Sequence, residues 1–147
     1  MADLFTIRDA REDDMSLICA YSKAEGMAEI PGTDGVRVAV DEDDAVVGFC
    51  RLDHDVNGIA YVNPIITYSL WRGYGVGRAL IEDAREIAGE LRLISRGTSE
   101  GFYRSLGFKE MSWEDVDFEA ANEDCDNCPY REACGPLPMR LPEDRHA

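Results

Sequence analysis

The stretch that most constrains this chain is Trp71-Arg72-Gly73-Tyr74-Gly75-Val76-Gly77-Arg78-Ala79-Leu80, where alternate glycines stand between two arginines and an amphipathic helix follows. Glycine leaves the backbone N–H groups uncovered by side chains. A helix N-terminus already presents unpaired N–H donors and a positive dipole end. Together they form a cradle for an anion, most often a phosphate or pyrophosphate. Arg72 and Arg78 add guanidinium groups whose geometry matches phosphate oxygens. Gly73, Tyr74 and Val76 complete the candidate binding loop. A Walker A loop needs Lys followed by Ser or Thr, and no such pair occurs here. A dinucleotide fingerprint needs a third glycine where Arg78 stands. What remains is R-x-x-G-x-G on Arg72, Gly75 and Gly77, or a plain loop-to-helix turn.

The chain around it reads as alternating strands and helices. Strands are expected at 4–8, 36–40, 45–53, 59–67, 91–95, 108–113 and 137–141. Helices are expected within 10–26, at 76–89 and at 99–106, with a further helical turn at Met27–Ile30. The first helix carries Met15, Leu17, Ile18 and Tyr21 on its apolar face. Val76, Ala79, Leu80, Ala84 and Ile87 form that of the main helix, which Gly89 closes. Asn57-Gly58 signals a two-residue hairpin. Ile59–Thr67 is apolar on both faces and so central, yet Pro64 cannot donate to a ladder and predicts a bulge or a splayed pairing. Pro136, Pro138 and Pro142 crowd the last strand, which predicts a sheet edge.

A second motif follows the main helix. Gly101-Phe102-Tyr103-Arg104-Ser105-Leu106-Gly107-Phe108 reads as a short helix, capped by Thr98 or Ser99 and ended by a left-handed Gly107. Phe108 then returns the chain to the core. R-x-x-G-x-G followed by F-Y-x-x-x-G-F resembles the signature pair of the GNAT family of N-acetyltransferases, over roughly residues 4 to 112. The resemblance implies an α/β fold with a mixed central sheet of six to seven strands between helices, a three-layer α/β/α sandwich in which strands 4 and 5 splay apart. It implies acetyl coenzyme A as cosubstrate and a primary amine as acceptor. The glycine loop would hold the pyrophosphate. The backbone of Pro64, Ile65, Ile66 and Thr67 would bond the pantetheine arm. Tyr103 would give its proton to the leaving thiolate, since a phenol of pKa ~10 stays protonated at neutral pH. Packing alone is the other reading of Tyr103. No general base stands out: Glu25 and Glu29 lie in the acceptor-side segment, and His54 reads as an exposed turn residue. The chain departs from the family's usual residues at Ser69, Arg96 and Ser99, where Pro, Asn and Ala are common. Those departures leave open a non-catalytic coenzyme A module or sensor.

Composition narrows the partners. At 147 residues the chain reads as one N-acetyltransferase domain, 1–147, with a Cys-rich tail at 114–147 packed on it. The formal net charge is -15, with 30 Asp and Glu against 15 Lys and Arg, and Lys23 and Lys109 are the sole lysines. That argues against nucleic acid or an anionic membrane as partner, both of which want a basic face. An acidic excess with so little lysine looks like the proteins of salt-loving archaea, because molar salt shrinks the Debye length to ~3 Å. The absence of a signal-like apolar start and of a ~20-residue apolar run makes a cytoplasmic protein the expectation, with a homodimer as an allowed assembly.

The cysteines are Cys19, Cys50, Cys125, Cys128 and Cys134. The last three form C-x2-C-x5-C, one ligand short of a zinc knuckle. Cys19, Cys50 or His146 could complete it only through the fold; a disulfide or free thiols are the alternatives. Such a tail resembles those of uncharacterised archaeal members of the family. On the cysteines alone, a metal- or redox-responsive interaction protein is a third class of function.

Overall fold

A computed structural model describes residues 4–27, 29–116 and 135–143. Among them lie β1 (Thr6–Asp9), α1 (Met15–Ala24), β2 (Val36–Val40), β3 (Val46–His54), β4 (Ala60–Thr67), α2 (Val76–Ala88), β5 (Leu91–Ser95), α3 (Glu100–Ser105), β6 (Lys109–Glu110) and β7 (Leu137–Leu141). The strands form a seven-stranded mixed sheet in the order β1-β2-β3-β4-β5-β7-β6. β4 and β5 run parallel. β1 with β2, β2 with β3, β5 with β7 and β6 with β7 run antiparallel. This is the mixed α/β sheet with helices that the motifs imply. The residues group into two compact units, one running to Leu52 and resuming at Val62–Ile87, the other made of Asp53–Tyr61 and the residues from Ala88 onward.

In the first unit, β-branched residues build the strands because they suit a pleated, buried surface. Val36, Val38 and Val40 of β2 join Val46 and Phe49 of β3, Ile66 of β4, Ile18 of α1 and Ile30 in one core cluster. Ala39 and Cys50 are also fully buried, so β2 and β3 are covered on both faces. The β2–β3 register shifts between Ala39 and Val40, whose partners are Gly48 and Val46, and Val47 is left as the extra residue of a bulge. The Val47 carbonyl accepts the Tyr68 N–H at 2.8 Å, which fixes where the chain leaves β4.

The helices of this unit bury somewhat different faces than periodicity suggests. On α1 the buried residues are Ile18 and Ser22, while Leu17 points outward. The helix ends at Gly26, φ 68. There the Met27 N–H donates to the Ser22 carbonyl at 2.8 Å and the Gly26 N–H to that of Lys23 at 3.1 Å. Among the described residues of 27–30 there is no helical turn. On α2, Val76, Leu80, Ile81 and Ala84 are buried, whereas Ile87 is exposed. The rotation of α2 is set by Arg37 of β2, which grips Asp83 with two bonds of 2.8 and 2.9 Å. Ile87, one turn after Asp83, therefore lies on the rim rather than over the sheet.

In the second unit, the turn before β4 is a three-residue loop, not the two-residue hairpin expected from Asn57-Gly58. The Asp55 carbonyl accepts from the Gly58 N–H, and the Asp55 N–H donates to the Ile59 carbonyl, each at 3.0 Å. Gly58 has φ 80 while Asn57 is not at positive φ, as a two-residue Asn-Gly turn would require. The Asp55 side chain explains the choice, since its Oδ1 accepts the N–H groups of Asn57 and Ile59 at 2.8 and 3.0 Å.

The last strand is not an edge. β7 lies between β5 and β6, and β6 is the outermost strand at this end among the described residues. Proline is tolerated there because the N–H and C=O of one strand residue point to the same side. The Pro138 carbonyl accepts from Met111 N–H at 3.0 Å, on the β6 side. The missing N–H therefore faces the same side, beyond the end of two-residue β6, and the β5–β7 ladder loses nothing. β6 itself is shorter than the expected 108–113, because the chain turns into a single 3-10 turn at Trp113–Asp115.

Candidate active site

In the first unit, β4 carries Pro64, Ile65, Ile66 and Thr67 to the start of the glycine loop. Ile66 is buried in the core, and the other three are half-buried. The β4–β5 ladder spans only Ala60↔Leu91 and Tyr61↔Arg92 among the described residues. Beyond Tyr61, β4 is thus not laddered to β5, which fits the splayed arrangement.

The loop is shaped as an anion cradle. Gly73 and Gly75 have φ of +88 and +83, a region in which side chains are strained, and a Cβ on either would meet nothing within 4 Å. The glycines are thus required by backbone conformation, and the space they leave is open to a ligand. The Ala79 N–H makes the bond to the Gly75 carbonyl at 3.0 Å, so Gly75 caps α2. The N–H groups of Val76, Gly77 and Arg78 precede that first intrahelical bond and remain available to an anion. No acidic residue occupies the first turn of α2. Arg78 is exposed and has no ion pair among the described residues. Val76 contributes backbone only, since its side chain is buried at 1% exposure. The ring of Tyr74 packs on Trp71 at 5.4 Å between centroids, and Trp71 meets Phe5 edge-on at 6.3 Å. The open N–H groups at the start of α2, with no acid beside them, can take an anion such as a phosphate.

Arg72 has a partner that sequence reading did not find. Its Nη2 donates to Glu25 Oε1 at 2.7 Å. Glu25 follows the last turn of α1, and no local signal could have joined two residues 47 positions apart.

In the second unit, Tyr103 stands on α3, half-buried. Its ring lies 5.3 Å from that of Phe102 and 5.5 Å from that of Phe108, the latter edge-to-face. The helix ends as the motif implies. Gly107, φ 102, donates to the Arg104 carbonyl at 3.0 Å, and the Phe108 N–H to the Tyr103 carbonyl at 3.1 Å. Phe108 is then buried at 2% exposure. The Tyr103 carbonyl is held by this end motif, which fixes the residue's backbone. Ser99 is the cap residue, but its side chain makes no capping bond.

Cys125, Cys128 and Cys134 lie outside the described residues. Among the described residues no group of three His, Cys, Asp or Glu side chains could hold a metal ion. Cys50 is fully buried, and burial pushes its thiol up to about 12, which disfavours the thiolate a metal would need. No described helix is long and apolar enough to cross a membrane.

The chain is similar to known acetyltransferases. The acetyltransferase (GNAT) domain model matches residues 33–110. The peptidyl-lysine N-acetyltransferase YjaB of Escherichia coli K12 is 37% identical over 83 residues, covering 54% of this chain and 53% of that protein. An uncharacterised N-acetyltransferase of Chlorobaculum tepidum is 28% identical over 97 residues, 64% of this chain and 62% of that protein. The chain thus spans between half and two thirds of the length of these relatives. Rv2747 of Mycobacterium tuberculosis, solved in complex with CoA, shares the fold with a TM-score of 0.74 over 93% of this chain and 98% of its own, at 18% identity. With the glycine loop and the F-Y helix both inside the matched span, the chain belongs to the GNAT acetyltransferase domain family.

Proposed function

We propose that the protein transfers an acetyl group from acetyl coenzyme A to a primary amine by direct attack in a ternary complex. The observation that carries this reading is the α2 cradle, with Gly75 at positive φ, open space in front of it and no acid in the first helical turn. Arg72, Gly73, Tyr74, Gly75, Val76, Gly77 and Arg78 take the pyrophosphate. Backbone groups of Pro64–Thr67 hold the pantetheine arm, and an N–H there polarises the thioester carbonyl. The amine nitrogen attacks the carbonyl carbon, the carbon–sulfur bond breaks, and Tyr103 protonates the leaving thiolate while water takes the amine's proton. The acceptor is a small molecule or a protein; the lysine activity named for the Escherichia coli relative supports including lysine side chains. The protein works in the cytoplasm, at high salt, and the spacing of Cys125, Cys128 and Cys134 supports a zinc site one ligand short, with a disulfide or free thiols as the alternatives. Metal analysis of the purified chain tests that last point, with close to one zinc per chain expected and metal-free, equally stable protein counting against it.

A panel of amines incubated with acetyl coenzyme A, reading free thiol, tests the activity. Thiol release that depends on one class of amine is the expected result. Arg96 and Ser99, which depart from the family's usual residues, support a second reading as a coenzyme A sensor. Tight coenzyme binding without amine-dependent release would select it.

A further inference from the structure

Arg72 is already engaged by a carboxylate of its own chain, at 2.7 Å from Nη2 to Glu25 Oε1. We propose that Glu25 is an internal counter-ion of Arg72 which the coenzyme's phosphates must displace, so that Glu25 lowers coenzyme affinity from outside the cradle wherever salt does not screen the pair. The inference rests on the coenzyme reading above and names a control on that same site.

The chemistry is that of two anions competing for one guanidinium. A carboxylate and a phosphate take the same N–H edges of arginine. Both side chains are open to solvent, 60% and 42% exposed, so the pair is accessible to a competing ion. Exposed pairs of this kind are weak, so a phosphate can displace the carboxylate without disturbing the core. The position of Glu25 makes local helix stability a poor reason for its presence. It is the C-cap of α1, at the negative end of the helix dipole, where a carboxylate is disfavoured. Arg72 compensates for that placement. When Arg72 turns to phosphate, Glu25 is left facing the helix's negative end and a newly arrived anion. The rest of the loop holds no comparable competitor: Arg78 has no ion pair among the described residues, and the first turn of α2 has no acid.

The test is calorimetry of coenzyme A binding to the full chain, in low salt and in molar potassium chloride. Glu25→Gln keeps size and polarity and removes the charge. It should tighten binding about three- to fivefold at low salt, with the gain vanishing in molar salt. Glu25→Ala should give the same sign. In an Arg72→Gln background the gain should shrink, because the contested group is gone. Unchanged or weaker binding in both Glu25 variants at low salt, with thermal midpoints near that of the parent, overturns the proposal and makes Glu25 a bystander or a support for Arg72. Inorganic pyrophosphate separates this from failure of the coenzyme reading. If no variant binds coenzyme A yet Glu25→Gln gains for pyrophosphate, the counter-ion stands and the coenzyme reading falls. If neither probe gains, the counter-ion falls.

Discussion

A Cβ on Gly48 would stand 2.8 Å from Val76 Cγ1 and 3.1 Å from the Ile66 carbonyl oxygen. β3 therefore touches the first residue of α2 at a place where no side chain fits. Gly48→Ala should destabilise the fold by about 1–3 kcal/mol, the usual cost of overpacking a core. It should also weaken coenzyme A binding, because relief of the clash moves the start of α2. Denaturant melts and calorimetry check both; an alanine variant with parental stability would mean that the neighbours give way without loss.

Gly75 answers a different demand. A Cβ at Gly75 meets nothing within 4 Å, but Gly75→Glu must hold φ +83 and place a carboxylate in the cradle. Coenzyme A affinity should fall at least tenfold, or about 1.4 kcal/mol. Unchanged affinity in a folded variant would put the phosphates elsewhere.

Tyr103→Phe keeps the ring that meets Phe108 at 5.5 Å and removes the hydroxyl. Coenzyme binding should hold while turnover drops by roughly 10²–10⁴, the contribution of a positioned acid. Turnover that falls in step with binding would reduce Tyr103 to packing, and no change in either would assign the proton to water.

Asp14 gives the fold an acid limit. Two bonds from the Arg8 guanidinium, at 2.8 and 3.0 Å, hold its carboxyl below the usual carboxylate range, against the opposing effect of burial, and the Arg11 N–H adds to them. A depressed folded pKa contributes stability that is present above the unfolded value of ~3.9 and is lost as pH falls through the folded value. Asp14→Asn should be less stable at neutral pH and lose less on acidification. Parallel melts from neutral pH to about pH 3 compare the slopes; equal slopes would remove Asp14 from the acid response.

The formal charge of -15 makes a prediction about salt. Thermal midpoints should rise steadily from low to molar potassium chloride as repulsion among the carboxylates is screened. A flat midpoint would show that local pairs such as Arg8 with Asp14 and Arg37 with Asp83 already neutralise what matters.

The legible parts of this molecule are those with local causes. Gly75 and Gly107 are demanded by backbone angles within a few residues of the motifs that contain them, so loop, helix and turn could be read from spacing. The strands carry their own β-branched pattern. What escaped depends on distant partners. Ile81 replaces Ile87 in the core because Arg37, 46 positions before Asp83, sets the rotation of α2. Pro138 reads as an edge residue until its register shows which side lacks the N–H. Glu25 reads as one acid among many until Arg72 is seen beside it.

Pro138 also bears on how copies of the protein meet at high concentration. An outer strand with consecutive open N–H and C=O groups invites strand addition by a neighbouring molecule. Among the described residues the outer strand, β6, runs for two residues, and the strand inside it lacks a donor at the point where the ladder would continue. An incoming strand finds too short a run of backbone groups to grip. When salt screens the acidic surface and charge no longer keeps copies apart, the shape of this edge still resists aggregation.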